Sequence, residues 1–539
     1  ITIATAMRLV PGSGDCVRSE LWDVMDRPTR TVLMKASPGS EIVVEKHVAI
    51  ATSRDAQPGR LASLTRASIG RVRSWTEALG ASTSAWAREW ARCDVTIEGD
   101  DRAQLAIRHC IYQLLIAGPR ADDSVNIGAK TLSGFGYRGH AFWDTESFML
   151  PFFTFTSPRI ARNLLTSRSR QLPAAQANAR QAGYRGAQFP WESADTGEEV
   201  TPSWLPDPSD PTRLQRIWTG DLEIHISADV AIAAYRYWQV TADDAWFAER
   251  GAEIVLGTAA FWASRAEWSA DRSACGYRRV IGPDEYHEHV DNNHFTNALA
   301  RWNLRAGSEV WDWLGSYDAD RHRTVSASLG ITRHDVDRWR TIIDAIHLPV
   351  GGDGLIEQFD GYFQRRDLDL AEFETQTRSM QAILGVEGVQ ETQIIKQPDV
   401  LAAMHLLPEA YDDRQIVANY RYYAARTDGH GSSLGPATMA IVASRAGLAQ
   451  EAYEHFMQAA LVDLEDIRGN TAYGIHGAAA GGAWQAIAFG FAGLRLTREG
   501  YSTESRLPPH WARLQIRFTH RGVPQLIDMK GGPEIADRR

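Results

Sequence analysis

The stretch GYRGHAFWDTE, residues 136–146, gathers an arginine, a histidine, a tryptophan and two carboxylates. Carboxylates and Arg138 can hydrogen-bond hydroxyls, and a flat ring such as Trp143 can lie on the C–H face of a sugar. The same residues also suit a helix start, with Asp144 or Thr145 as N-cap and Trp143 in the core. A second stretch, IGPDEYHEHVDNNH at 281–294, sets Glu285 behind a Gly-Pro turn. A carboxyl held rigidly beside a cleft suits a general acid, which keeps a proton near neutral pH and gives it to a leaving oxygen. His287, His289 and His294 make a metal site the competing reading, although their spacing fits neither HExxH nor an EF-hand loop. A third, TDGHGSSLGP at 427–436, places small residues and hydroxyls directly before an expected helix. Free N–H groups and the helix dipole favour an anion there, and a plain N-cap by Ser432 or Ser433 explains the residues as well. A Ser-His hydrolase would need a GxSxG elbow, which is missing. In a fourth, GIHGAAAGGAWQ at 474–485, small side chains permit close approach of the backbone, to a ligand or between helices. Lys396, in IKQPD, stands at a helix start, where a lysine is commonly solvated surface.

Chemistry scattered over such distances needs a scaffold to gather it. Ile107, Cys110, Ile111, Leu114 and Leu115 recur at one-face helical spacing. Periodicity and caps predict further helices over 221–240, 245–268, 290–314, 334–346, 398–407, 412–424, 436–446, 450–462 and 482–492, about twelve in all between 98 and 503. Twelve alternating helices can close into a toroid of six inner and six outer members. A flat bundle or an α-solenoid is the plainer arrangement, but no repeat of about 34–47 residues is visible. Residues 1–60 read as short strands punctuated by Pro11-Gly12 and Pro38-Gly39, and 61–97 as a polar helical linker. Residues 504–539 read as the start of a second β-domain, with Leu514–Phe518 alternating in period two. The loop 183–220, rich in Pro, Trp, Asp and Gly, is long enough to point to function.

The chain has 539 residues, too many for one ordinary domain. Its net charge is −10, from 57 basic and 67 acidic residues, which argues against a nucleic-acid surface as the main business. A hydrophobic share of 44% with 23% charged residues excludes a disordered chain. Cys16, Cys93, Cys110 and Cys275 lie far apart, which excludes a disulfide scaffold or a zinc ribbon and suits a reducing compartment. No apolar run reaches about 18 residues, so no membrane span is expected. The sequence begins at Ile1 without a signal-peptide pattern and reads as a piece of a longer protein. Its 18 tryptophans and 16 tyrosines suit a sugar-facing cleft and equally a large aromatic core.

Together the segments resemble glycoside hydrolase family 65, disaccharide phosphorylases acting on maltose, trehalose, kojibiose or nigerose, with a few hydrolases. The signatures are GYRGHAFWDTE, GAQFPWES, EIHISADVA, GPDEYHEHVDNN, KQPDVL, HGSSL and DLEDIRGNTAYGIHGAAAGGAWQ, in one order between about Asp94 and Arg495. The resemblance implies a mainly α fold: an (α/α)6 barrel catalytic domain with flanking β-sandwich remnants, truncated at both ends. It implies an inverting single displacement with Glu285 as general acid. Arg138, His140, Trp143, Asp144, Lys396 and Gln397 would hold the non-reducing glucose, and His430, Ser432 and Ser433 the phosphate. Neither metal nor cofactor is implied, inorganic phosphate being the co-substrate and β-glucose 1-phosphate the product. The expected partners are sugar and phosphate, not nucleic acid or membrane, with a homodimer as the family's habit and the cytoplasm as its location. A hydrolase would instead need a carboxylate base across from the acid. HGSSL contains no glutamate, which favours a phosphorylase. Gly435 stands where phosphorylases commonly carry serine, and Asp428 is a nearby carboxylate of the kind a hydrolase uses. The stretch from Gly197 to Asp221 would face the leaving sugar and leaves maltose, trehalose and kojibiose open.

Overall fold

A helix that is apolar on every side has to lie in the interior. Asp399–Leu406 and Gly477–Gln485 are buried at every position, Gly435–Arg445 at all but Pro436 and Arg445, and Ile226–Thr241 along most of its length. In the computed structural model, which describes all residues except 12, 14, 25, 26, 208, 209, 374, 376, 498, 499 and 532–539, these helices line the middle of a ring. Leu150–Thr156 packs on Ile226–Thr241, which packs on His294–Tyr317, and the ring continues through Asp399–Leu406, Gly435–Arg445 and Gly477–Gln485 back to Leu150–Thr156. Outside it lie Asp101–Ala117, Pro158–Gln181, Ala252–Arg265, Arg333–Ala345, Asp413–Ala424 and Ala449–Leu461, each against one or two inner helices. Among the described residues this is six helices inside six, the (α/α)6 toroid.

The outer helices are amphipathic, as their position demands. Arg333–Ala345 buries Val336, Trp339, Ile342 and Ile343, and a capping box between Thr332 and Asp335 starts it. The small residues of the fourth segment serve helix packing. A Cβ on Gly481 would stand 2.3 Å from the Phe148 carbonyl oxygen, and one on Gly482 2.4 Å from Ala437 Cβ. The expected helix at 482–492 in fact begins at Gly477 and passes into a π-turn over Ala486–Phe491. No helix among the described residues is long and apolar enough to cross a membrane.

The chain divides into two compact units at Ala91/Arg92. In the first, Ile3–Pro11 pairs antiparallel with Val44–Thr52, and Asp15–Val24 with Arg27–Lys35. The helix Leu61–Arg71 packs Leu61, Thr65 and Ile69 inward. In the second, the strand Val95–Glu98, inside the stretch expected to be a helical linker, pairs with Arg513–His520, which continues to Val523–Lys530. That sheet belongs to the same unit as the helical ring.

Candidate active site

All six inner helices point their N-termini at one cavity of about 760 Å³. Part of its wall comes from residues within ten positions upstream of those helices: Trp143, Thr219, Glu285, Lys396 with Gln397, Ser432 with Ser433, and His476. Unpaired N–H groups and the positive ends of helix dipoles therefore converge on one space, a setting that favours negative charge.

Glu285 is held by its neighbour in sequence. The Asp284 carboxylate accepts from the Lys396 N–H at 2.7 Å, from Gln358 Nε2 at 2.9 Å, and contacts His287 Nδ1 at 2.6 Å. The Asp284 N–H in turn donates to Asp399 Oδ1 at 2.7 Å, and Asn293 Nδ2 to Asp399 Oδ2 at 2.7 Å. A Cβ on Gly282 would stand 2.2 Å from Asp399 Oδ2, so the Gly-Pro turn needs its glycine. This buried frame sets Glu285 beside Lys396, whose Nζ donates to Glu285 Oε1 at 2.7 Å. The three histidines of this segment do not converge. His287 is tied to Asp284 and the Thr392 carbonyl oxygen, His289 stacks edge-on with Trp218, and His294 meets the Tyr411 hydroxyl at 2.9 Å.

Trp143 and Asp144 come from the start of an inner helix that opens with a π-turn, Asp144–Met149. Such bulges re-aim side chains and recur at functional sites. Just upstream, Tyr137 and Arg138 both have φ of 55°, left-handed backbone that non-glycine residues rarely adopt. Burial pushes the Asp144 carboxyl up to about 7. Beneath the cavity, Arg168 donates to Glu146 Oε1 at 2.7 Å and to Ser193 Oγ at 2.9 Å. It thereby clamps the segment of Trp143 to that of Trp191 and Glu192, which also line the cavity. His225 lies under both tryptophans, ring centroids 5.1 Å from Trp143 and 5.4 Å from Trp191. Burial alone would lower its pKa, but Asp229 at 2.7 Å and Glu223 at 3.3 Å outweigh that and raise it to about 9.

The small-residue turn adjoins the acid. A Cβ on Gly431 would stand 3.2 Å from Lys396 Cγ and 3.1 Å from the Tyr286 hydroxyl. Asp428 shapes this turn. Its Oδ2 accepts from the Tyr286 hydroxyl at 2.6 Å and from the Met380 N–H at 2.7 Å, and its Oδ1 from the His430 N–H at 2.8 Å. Arg468 braces the same turn, donating to the Ser432 carbonyl oxygen at 3.1 Å and the His430 carbonyl oxygen at 2.5 Å. Ser432 and Ser433 line the cavity together with Arg468, Lys130 and His476. Lys130 Nζ lies 2.7 Å from His476 Nε2, whose ring is oriented by Asp463 at 2.7 Å. Burial lowers the pKa of Lys130.

Of the residues singled out in the sequence, Glu285, Arg138, Trp143, Asp144, Lys396, Gln397, Ser432 and Ser433 line this cavity. Two do not. His140 stands behind the wall, its Nδ1 2.6 Å from Glu192 Oε1, so it orients Glu192. His430 is exposed, and its backbone rather than its ring is engaged. Lys130, Trp191, Glu192, Arg468 and His476 are lining residues that the sequence reading did not select, whereas Thr201, Pro202 and Thr219 come from the stretch expected to face the leaving sugar. Trp191, Glu192, Arg468 and His476 lie inside the quoted motifs, which is where a signal existed. Lys130 lies in a loop without one.

Comparison with known proteins agrees with this architecture. Residues 108–485 match the model of the glycosyl hydrolase family 65 central catalytic domain. A kojibiose phosphorylase of Caldanaerobacter subterraneus subsp. tengcongensis is 42% identical over 487 residues, covering 89% of this chain and 63% of that protein. A 1,2-alpha-glucosylglycerol phosphorylase of Bacillus selenitireducens is 36% identical, covering 94% of this chain and 66% of its own length. A solved structure from the human microbiome, assigned as a kojibiose phosphorylase, superposes with a TM-score of 0.81 at 25% identity, over 98% of this chain and 70% of that one. The chain thus spans less than two thirds of the length of these curated relatives.

Proposed function

The chain belongs to glycoside hydrolase family 65, and from that premise we propose that it catalyses inverting phosphorolysis of an α-linked glucobiose, of the kojibiose type, to β-glucose 1-phosphate and glucose. The observation that carries the reading is the pairing, in one cavity, of Glu285 with a turn of small residues backed by Lys130, Arg468 and His476. The anion comes with its own charge, so it needs donors and cations rather than a base. Asp428, the carboxylate a hydrolase would use, accepts three hydrogen bonds that hold the turn, and it is absent from the cavity lining.

In the reaction, Trp143 and Asp144 hold the non-reducing glucose with Lys396 and Gln397. A phosphate oxygen attacks the anomeric carbon from the β face as the bond to the leaving sugar breaks. Glu285 gives its proton to the departing oxygen, so that a neutral sugar leaves. Lys396 now at Glu285 exchanges that carboxylate for sugar hydroxyls once substrate fills the site. No cofactor enters this scheme. The kojibiose preference follows the relatives, several of which are named for that disaccharide. A charged sugar phosphate cannot diffuse through a bilayer, which supports a cytoplasmic location.

The assay is turnover of an α-glucobiose panel with and without inorganic phosphate. Phosphate-dependent release of β-glucose 1-phosphate, fastest from kojibiose, is the expected result. Equal glucose release in the absence of phosphate would assign a hydrolase.

A further inference from the structure

One part of the cavity wall is assembled from three separate pieces of chain: Trp191 with Glu192, Thr201 with Pro202, and the helix start at Thr219. Residues 186–203 contain no helix, and their backbone pairing is sparse: Ser193 bridges Glu199, and the Val200 N–H donates to the Glu192 carbonyl oxygen at 3.1 Å. To this the side chain of one carboxylate adds four further hydrogen bonds. Glu199 Oε2 accepts from the Trp191 N–H at 2.7 Å. Its Oε1 accepts from the Thr201 hydroxyl at 2.6 Å, the Thr201 N–H at 2.9 Å and the Glu192 N–H at 3.4 Å. The third piece closes on the same group: a Cβ on Gly220 would stand 2.9 Å from Thr201 Cβ and 3.3 Å from Glu199 Cδ. Glu199 is absent from the cavity lining, so its influence on a ligand passes through the residues it holds.

All of these partners are donors, and only an acceptor-only group satisfies them together. An amide in its place would turn an NH2 toward an N–H, a repulsive contact at a half-buried position. We propose that Glu199 is a positioning residue for recognition of the leaving sugar: by holding Trp191, Glu192 and Thr201 at a fixed spacing, it sets which acceptor the cavity accepts. The proposal rests on the phosphorylase reading and adds to it the residue that tunes acceptor choice.

The test runs the full chain in the synthetic direction, with β-glucose 1-phosphate as donor and D-glucose as acceptor. Glu199→Gln is expected to raise the KM for glucose by roughly tenfold or more while leaving the KM for β-glucose 1-phosphate within about twofold. Thr201→Val, which removes one donor, is expected to move the glucose KM in the same direction by less, and Thr201→Ser to restore it. Hydrogen exchange at the Trp191, Glu192 and Thr201 amides should accelerate in Glu199→Gln, with the inner helices unchanged. Parallel changes in both KM values, or unchanged exchange at those amides, would overturn the proposal. Wild-type chain without phosphate-dependent turnover would instead sink the functional reading, and the exchange measurement then decides the positioning claim alone.

Discussion

The two mouths of the barrel are built from the same inner helices and have opposite character. At the mouth where those helices begin, Lys130, Lys396 and Arg468 face a cavity of about 760 Å³. At the other mouth, where several of them end, a cavity of about 400 Å³ is lined by Leu150, Phe155, Ile232, Trp302 and Phe489, with Arg236 and Arg495. There the arginines are occupied by helix ends. Arg445 Nη1 donates to the Met404 carbonyl oxygen and its Nη2 to the Pro408 carbonyl oxygen, both at 3.1 Å. Arg495 Nη1 donates to the Phe489 carbonyl oxygen at 2.7 Å, and Arg236 to that of Leu406. Cations satisfy orphan carbonyls at one end, as the dipole requires, whereas at the other Lys130 and Lys396 bond to the side chains of His476 and Glu285, and Arg468 alone is engaged by backbone. Lysines bonded to side chains that themselves line the cavity distinguish the first mouth from the second.

That contrast is broken most severely at the acid. Glu285→Gln keeps the shape and removes the proton donor, so kcat should fall by roughly 100- to 10,000-fold. Folding, read by thermal unfolding, should be little changed, because Glu285 sits on the cavity surface and not in the Asp284–Asp399 frame beneath it. Retained turnover would remove Glu285 from its role.

A smaller effect sharpens the anion end. Lys130→Met should raise the phosphate KM by roughly tenfold, the loss of one charge-assisted contact. His430→Ala should leave the phosphate KM unchanged, since the exposed ring of His430 takes no part in the cavity wall. Steady-state kinetics with varied phosphate at saturating disaccharide separates the two, and an effect of His430→Ala matching that of Lys130→Met would reverse the placement.

How the sequence foreshadowed these residues depends on the distance over which each signal acts. Glu285, Lys396, Trp143 and Asp144 stand beside turns or helix starts, and local cues reach them. The helices at 399–406 and 413–424 begin within a residue of their expected positions because Pro398 and the Asp412–Gln415 capping box mark them locally. Lys130 becomes part of the site only through His476, which lies 346 residues away in sequence. His430 shows the converse. A histidine in a small-residue turn reads as a ligand, but Asp428 and Arg468 hold the turn by its backbone and leave the ring outside. The ring of helices was likewise implied by count and alternation, whereas the strand Val95–Glu98 is fixed by pairing with residues more than 400 positions on. Glu199 lies in the stretch expected to face the leaving sugar, but nothing local singles it out there, since its role rests on four donors presented by three other residues.

Two buried histidines repeat the contrast between the mouths with opposite protonation. His225, between Asp229 and Glu223 under the tryptophans, is raised to about 9 against the desolvation that opposes it. His405, in the wall of the other cavity, is lowered to about 3 by burial and by Arg236, with its Nε2 2.9 Å from Gln485 Oε1. Above the ordinary value of 6.5 the His405 ring is neutral in folded and unfolded chains alike, and its contribution is fully present. As pH falls from there toward about 3, only the unfolded chain takes up the proton. Stability is then lost by up to ~1.4 kcal/mol per pH unit for this one group. His405→Asn should flatten that acid limb in denaturant unfolding. The flattening will be partial, because His294, lowered by burial to about 4, loses stability over an overlapping range. His225 has the other sign: its contribution is present below 6.5 and lost as pH rises through about 9. At pH 7.5 the nitrogen shifts of the two rings should therefore read imidazolium at His225 and neutral imidazole at His405. Two neutral rings would mean that Glu223 and Asp229 do not hold the charge under the tryptophans that the geometry assigns them.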